Sequence, residues 1–346
     1  NYYKSKDYKE DHLRQEFLNP FFKALGWDMD NEQHFAPQYR EVIHEDRIEI
    51  EGKPKAPDYS FRIGTERKFF VEAKAAFVNV EKEMAPSFQL RRYSWSGKLP
   101  VSILTDFEEF SIYDTTIEPK VSDRADIARI KYLQFQNYPD EIDYLWDTFS
   151  KEAVWSGSFD KFAKKERRGN ELVDKAFLKE IEQWRNLLAK DIAVNNPRID
   201  IFQLNEAVQK IIDRIIFLRI AEDRGIERYE TLKEIIKYQN SYPYLVKLFY
   251  KAREKYNSNL FDFNADIITP KLKISDKILD RIINTLYFPK SPYEFSVIGV
   301  EILGSVYEQF LGKVIRLTKG HNAIIEEKLE VKKAGGVYYT PKYIVD

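Results

Sequence analysis

The sequence predicts a mixed α/β domain, with a leading helix and a small sheet, followed by an all-α domain. Three observations carry this expectation. Residues 8–25 place Leu13, Phe17, Phe21 and Leu25 four apart, the spacing of one helical face, with Gly26 placed to end the helix. From about 39 to 80, short runs rich in β-branched and aromatic residues take over, punctuated by Gly52, Pro54, Pro57 and Gly64. Beyond Tyr138-Pro139 almost every apolar pattern recurs with a period near 3.6 residues. At 346 residues, the length suits about two domains.

Taken in order, Asn19-Pro20 interrupts the first helix, as a kink or as a restart with Pro20 at the first helical position. Strands are expected at 41–50, 59–63 and 68–75. Pro86 can open a helix that passes Gln89 and Tyr93 towards Gly97, and 101–104 with 110–113 has a hairpin's spacing. In the second domain, helices are expected over 172–191, 202–223, 229–238, 244–256, 275–286 and 297–311. Asn195-Asn196-Pro197 and 257–264 read as loops. A third texture starts near Lys332 and runs through Gly335-Gly336 to the end of the sequence. The expected boundaries are therefore 1–137, 138–315 and 316–346.

Composition excludes several classes. Lys and Arg total 55 against 56 Asp and Glu, a net charge of −1, so this is no globally basic nucleic-acid coat protein, although local basic patches stay open. The 22 Tyr and 24 Phe supply large cores and rule out a disordered chain. With no cysteine there is no disulfide framework, thiolate zinc site or Cys nucleophile. His12, His34, His44 and His321 lie too far apart for a finger-type or H-E-x-x-H site. No run approaches 18 apolar residues and the start is polar, so a cytoplasmic protein is expected, with no membrane partner.

The sharpest chemical signal is Pro57-Asp58 followed by Glu72-Ala73-Lys74. Alternate residues of a strand share a face, so Glu72 and Lys74 point together while Val71 and Ala73 point away. If the sheet sets Asp58 beside Glu72, two carboxylates and an ammonium converge. Two such carboxylates can hold Mg²⁺ (Mn²⁺ can substitute), which lowers the pKa of water and offsets charge growing on phosphorus. The ammonium of Lys74 can steady the attacking hydroxide or a phosphate oxygen. Coordination is also a reason to crowd acids beside Phe69, Phe70 and Val71, where an uncompensated charge would be expelled or neutralised. The alternative is a solvated Glu/Lys pair, common in a sequence that is 32% charged. Gln89 and Tyr93 share a helix face behind this strand, while Arg91 and Arg92 can face phosphates. Glu16, one position off the first helix's apolar stripe, is either a third carboxylate over the sheet or a solvent-facing glutamate. Lys161-Phe-Ala-Lys-Lys-Glu-Arg-Arg168 offers Lys164, Lys165, Arg167 and Arg168 to duplex DNA or is a solvated helix face. Five phosphate contacts there would give a salt slope of about −4 to −5.

Together, Pro57-Asp58, Glu72-Ala73-Lys74, Gln89-x-x-x-Tyr93 and Glu16 resemble the PD-(D/E)XK nuclease superfamily, in its Gln-x-x-x-Tyr branch. The resemblance implies a restriction-endonuclease-like domain, a small mixed sheet flanked by helices, that cleaves double-stranded DNA with Mg²⁺. Asp58 and Glu72 would be the metal ligands, Lys74 would lie near the water, and Gln89 and Glu16 would complete the catalytic set. Arg14-Gln-Glu-Phe17, Leu25-Gly-Trp27 and Ile103-Leu-Thr-Asp-Phe107 are similar to the N-terminal nuclease of restriction enzymes in particular. Leu303-Gly-Ser-Val-Tyr-Glu-Gln-Phe-Leu-Gly312 and Gly335-Gly-Val-Tyr-Tyr-Thr-Pro-Lys-Tyr-Ile-Val345 are similar to the entry into the adenine-N6 methyltransferase of type IIG restriction–modification enzymes. Tyr338, Tyr339, Thr340 and Pro341 would then lie against S-adenosylmethionine. That family's glycine-rich cofactor loop and Asn-Pro-Pro-Tyr motif do not occur in this sequence, so methylation is expected only of a longer polypeptide. The expected activity is that of a site-specific deoxyribonuclease, with transient self-association for double-strand cutting. The other readings are a non-catalytic DNA-docking scaffold and a stand-alone repair-type nuclease.

Overall fold

A computed structural model describes residues 2–44, 56–169, 172–256 and 258–327, and its chain divides into two compact units. The first comprises Asn1–Val173 with Pro292–Val297, and the second Asp174–Ser291 with Ile298–Asp346.

The first unit opens with α1 (Glu10–Leu13), a π-helical turn (Arg14–Leu18) and α2 (Asn19–Ala24). Pro20 has no N–H to give the carbonyl four residues back, and the wider turn absorbs the interruption. This also moves the buried stripe. Leu13, Leu18, Phe22 and Leu25 are buried, whereas Phe17 and Phe21 lie at the edge of the core. The regular four-residue stripe expected from the sequence slips by one position after Leu13.

Among the described residues six strands follow: β1 (Val42–Ile43), β2 (Tyr59–Ile63), β3 (Glu66–Ala73), β4 (Val101–Thr105), β5 (Glu109–Asp114) and β6 (Arg129–Gln134). They lie side by side in chain order, antiparallel except for the parallel pair β3–β4, which α3 (Met84–Ser96) connects. Gly64, at φ 59°, makes the two-residue turn between β2 and β3. The expected 41–50 strand appears only as Val42–Ile43; residues 45–50 lie outside the described residues. β6 was not expected, because Arg129-Ile-Lys-Tyr-Leu-Gln134 is half charged or polar and buries only Leu133.

Alternation along β3 divides the core in two. Phe69, Val71 and Ala73 join Tyr59, Phe61, Ile103 and Ile112 in the larger cluster, with the N-terminal helices. Phe70 faces the other way, onto Leu90 and Tyr93 of α3, with Leu104, Tyr113 and Val297. Three more helices, α4 (Tyr138–Phe149), α5 (Lys151–Trp155) and α6 (Ser158–Glu166), send Leu145, Phe149, Val154, Phe159 and Ala163 into the larger cluster. Trp27 Nε1 donates to the Phe149 carbonyl at 2.8 Å, tying α4 to the first helices. The sheet's unit therefore continues past the expected boundary at 137 and closes at Val173.

The second unit contains α7 (Val173–Asn195), α8 (Ile201–Asp223), α9 (Thr231–Ile235), α10 (Tyr242–Tyr256), α11 (Asp276–Thr285) and α12 (Val300–Leu311). Asp200 and Gln203 form a capping box that starts α8. Buried Arg214 and Arg219 on α8 pair with Asp266 and Asp223 at 2.8 and 2.7 Å. A hairpin of β7 (Lys313–Leu317) and β8 (Ala323–Glu327) follows, so the region after 315 starts with strands. Among the described residues no helix is long and apolar enough to cross a membrane.

Candidate functional site

Register and alternation assemble the site at one end of the sheet. Tyr59 pairs with Val71 and Ser60 with Phe70, so the next position outward sets Asp58 beside Glu72. Both belong to the face that Phe70 shares with α3, whereas Val71 and Ala73 turn into the larger core. Asp58 is 5% and Glu72 2% exposed. Asp58 Oδ2 accepts the Ala73 N–H at 2.8 Å, which locks the acid across the end of β3. Lys74 Nζ lies 2.6 Å from Glu72 Oε1, and Gln89 Nε2 donates to that same oxygen at 2.8 Å. Four expected residues, Asp58, Glu72, Lys74 and Gln89, are thus gathered at one place.

The electrostatics are those of a site with surplus negative charge. Burial, reinforced by the Asp58 carboxylate, pushes Glu72 up to about 8 against the pull of Lys74. Burial alone would pull Lys74 down, but the charges of Glu72, Asp58 and Glu10 outweigh it and raise the ammonium above its ordinary value. Glu72 Oε2 is buried and, among the described residues, has no hydrogen-bond partner. A buried, partnerless carboxylate oxygen beside a second carboxylate is what a divalent cation would satisfy. Among the described residues no three His, Cys, Asp or Glu groups cluster closely enough to hold an ion alone. Mg²⁺ suits such a place, because it ordinarily takes one or two carboxylates and fills its remaining positions with water and substrate phosphate.

Arg14 was not anticipated at the site. Its Nη1 is 3.3 Å from Asp58 Oδ1, its Nη2 donates to the Asp58 carbonyl at 3.2 Å, and its guanidinium lies 4.7 Å from the Tyr59 ring centroid. His44 Nε2 donates to the Met29 carbonyl at 2.8 Å, leaving Nδ1 to face Arg14 Nη2 at 3.5 Å. Glu10 precedes Arg14 by one helical turn, and its charge acts on both Glu72 and Lys74. Spacing i, i+4 could have pointed to this pair, had the helix been phased from its first turn.

Three groups of expected site residues stand elsewhere. Glu16 is exposed and accepts the Tyr8 hydroxyl at 2.9 Å; it follows Arg14 by two residues, which puts it on the opposite side of the helix, and Glu10 is the helix acid felt at the site. Arg91 is 0% exposed and pairs with Asp123 at 2.8 Å on the buried side of α3, so it cannot reach a phosphate. Arg92 is largely buried against Glu294 at 3.2 Å. Charge pattern alone does not separate an arginine that serves DNA from one that serves the core.

Lys164, Lys165, Arg167 and Arg168 are exposed, but at the opposite end of the sheet. Lys68, near the start of β3, meets Asp160 of α6 at 3.4 Å, and Arg168 N donates to Asp114, which pairs with the first residue of β4. The four residue steps from Lys68 to Glu72 span about 13 Å, so the basic run and the carboxylates do not share a surface point. Tyr338, Tyr339, Thr340 and Pro341 lie outside the described residues.

The chain is 37% identical over 349 aligned residues to the type II restriction enzyme and methyltransferase RM.Eco57I of Escherichia coli, a match that covers all of this chain and 35% of that protein. The chain therefore spans about a third of the length of the curated relative it matches. No protein-family model matches it, and no solved structure does.

Proposed function

This chain is a homologue, along its whole length, of part of the type II restriction enzyme and methyltransferase RM.Eco57I, and from that premise we propose that its first unit is a Mg²⁺-dependent DNA endonuclease of the PD-(D/E)XK kind. The observation that carries the proposal is the convergence of Asp58, Glu72 and Lys74 at one end of the sheet, with a Glu72 oxygen that no described residue satisfies. Crowding buried acids costs stability, and a structural ion pair does not require it.

Asp58 and Glu72 would hold the metal. When bound, it supplies a Lewis acid that lowers the pKa of water and offsets charge on the phosphoryl oxygens. The chain's own residues do the positioning. Ala73 N–H and Arg14 fix the two oxygens of Asp58, and Gln89 fixes Glu72. The ammonium of Lys74 holds a positive charge where the attacking water and a phosphate oxygen would meet. Water oxygen adds to phosphorus as the ester P–O bond breaks, and the departing oxygen takes up a proton.

The substrate in this reading is duplex DNA, and a pair of copies would supply one site for each strand. S-adenosylmethionine, at Tyr338 to Pro341, enters only for a polypeptide that also carries the cofactor loop and catalytic motif missing from this sequence. The test is nicking of supercoiled plasmid with Mg²⁺ or Mn²⁺. Wild type should nick and Lys74→Ala should not, while still showing a folded, cooperative melting transition; equal nicking by both defeats the assignment.

A further inference from the structure

Residues 292–297 belong to the first unit, although the chain on both sides of them, to Ser291 and from Ile298, belongs to the second. This short strap lies on α3. Arg92 donates to the Tyr293 carbonyl and pairs with Glu294 at 3.2 Å. The Glu294 N–H donates to Ser96 Oγ at 2.8 Å, Tyr293 stacks on Trp95 with ring centroids 5.7 Å apart, and Arg67 Nη1 donates to the Val297 carbonyl at 2.9 Å. Val297 itself completes the smaller core with Phe70, Leu90 and Tyr93.

Glu294 is 1% exposed, an unusual burial for a residue in a loop between helices. The face of α3 that it meets explains why this matters. Gln89, Arg92, Tyr93 and Ser96 recur at i, i+3, i+4 and i+7, so they form one stripe. At one end of that stripe Gln89 donates to Glu72. At the other end Arg92 and Ser96 are gripped by the strap. Tyr93 lies between, bonded to Gln89 and close enough to both Glu294 and Glu72 to feel each charge.

We propose that Glu294 is a positioning residue for the site: by pairing with Arg92 it sets the Gln89–Tyr93 face of α3 and so the orientation of Glu72. The inference rests on the metal-site reading above and adds to it a control element contributed by chain that lies 198 residues downstream of the end of α3. Partners of metal ligands typically change metal affinity by about 10- to 100-fold when removed.

The experiment is calorimetric titration of Mn²⁺ into wild type, Glu294→Gln, Gln89→Ala and the double variant, with thermal melts alongside. Glu294→Gln is expected to weaken Mn²⁺ binding about ten-fold, and to add almost nothing when Gln89 is already gone, because both act on Glu72 through one path. Wild-type affinity in Glu294→Gln, or a full further loss in the double variant, overturns the proposal. Should Glu294→Gln lose its fold, Arg92→Gln/Glu294→Gln, which removes both buried charges together, replaces it under the same criteria. A wild type that binds no Mn²⁺ sinks the metal-site reading itself, and this inference with it; binding by wild type with no effect of the variants sinks the inference alone.

Discussion

Replacing Glu72 by Gln should make the protein more stable while abolishing cleavage. In the unfolded chain this glutamate titrates near 4.5; in the fold, burial and the neighbouring Asp58 push it up to about 8. A raised carboxyl pKa means that its contribution to stability is complete below about 4.5 and is lost as pH climbs towards 8. The loss accumulates at about 1.4 kcal/mol per pH unit, which is on the order of 3 kcal/mol by pH 7. Glutamine keeps the shape and an acceptor for Lys74 Nζ, now 2.6 Å from Glu72 Oε1, and Asp58 still offsets the ammonium. Allowing for the ion pair given up, a net gain of roughly 1–3 kcal/mol remains at neutral pH. At about 2–4 °C per kcal/mol for a unit of this size, the melting transition should rise by several degrees. The assay is a series of metal-free thermal melts from pH 5 to above pH 8. The advantage of Glu72→Gln should be small at the acid end and widen until it levels off near the folded pKa. A variant less stable than wild type at pH 7.5, or a gap that ignores pH, would refute the electrostatic account of the site.

Other perturbations follow from the packing around α3 and α8. Asp123→Ala leaves the buried Arg91 guanidinium without its carboxylate and should cost about 3–5 kcal/mol in chemical denaturation; a loss under 1 kcal/mol would mean Arg91 finds other partners. Reversing Lys164, Lys165, Arg167 and Arg168 to Glu should leave Mn²⁺ binding and plasmid nicking unchanged, because those residues stand at the far end of the sheet; loss of nicking would bring α6 back to the substrate. Asp200→Ala removes the capping box of α8 and should lower stability by about 1 kcal/mol, read as a shift in the denaturation midpoint without a change in slope.

The elements that the sequence revealed are those whose pattern is set locally. Tyr59–Ile63 and Ile201–Asp223 formed close to their expected bounds because alternation, a capping residue and a glycine turn agree there. Period-two alternation was also enough to place Glu72 and Lys74 together, and the pairing of Tyr59 with Val71 then delivered Asp58. Long-range decisions stayed hidden. Pro20 widened one turn and slipped the buried stripe from Phe17 and Phe21 to Leu18 and Phe22, a phase change that a regular helical wheel cannot show. Arg91 and Arg92 carry the same charge pattern whether they meet phosphate or Asp123 and Glu294, since partners 32 and 202 positions away are invisible to spacing. β6 escaped because its residues are mostly half-exposed, and the strap at 292–297 because its own sequence carries no sign of which unit it joins.

The most direct measurement is a calorimetric titration of Mn²⁺ into wild type and Asp58→Ala at neutral pH. Wild type should bind saturably, and the variant, still folded, should lose that binding. Equal binding by the two proteins, or none by wild type, would contradict the claim that Asp58 and Glu72 share a divalent cation.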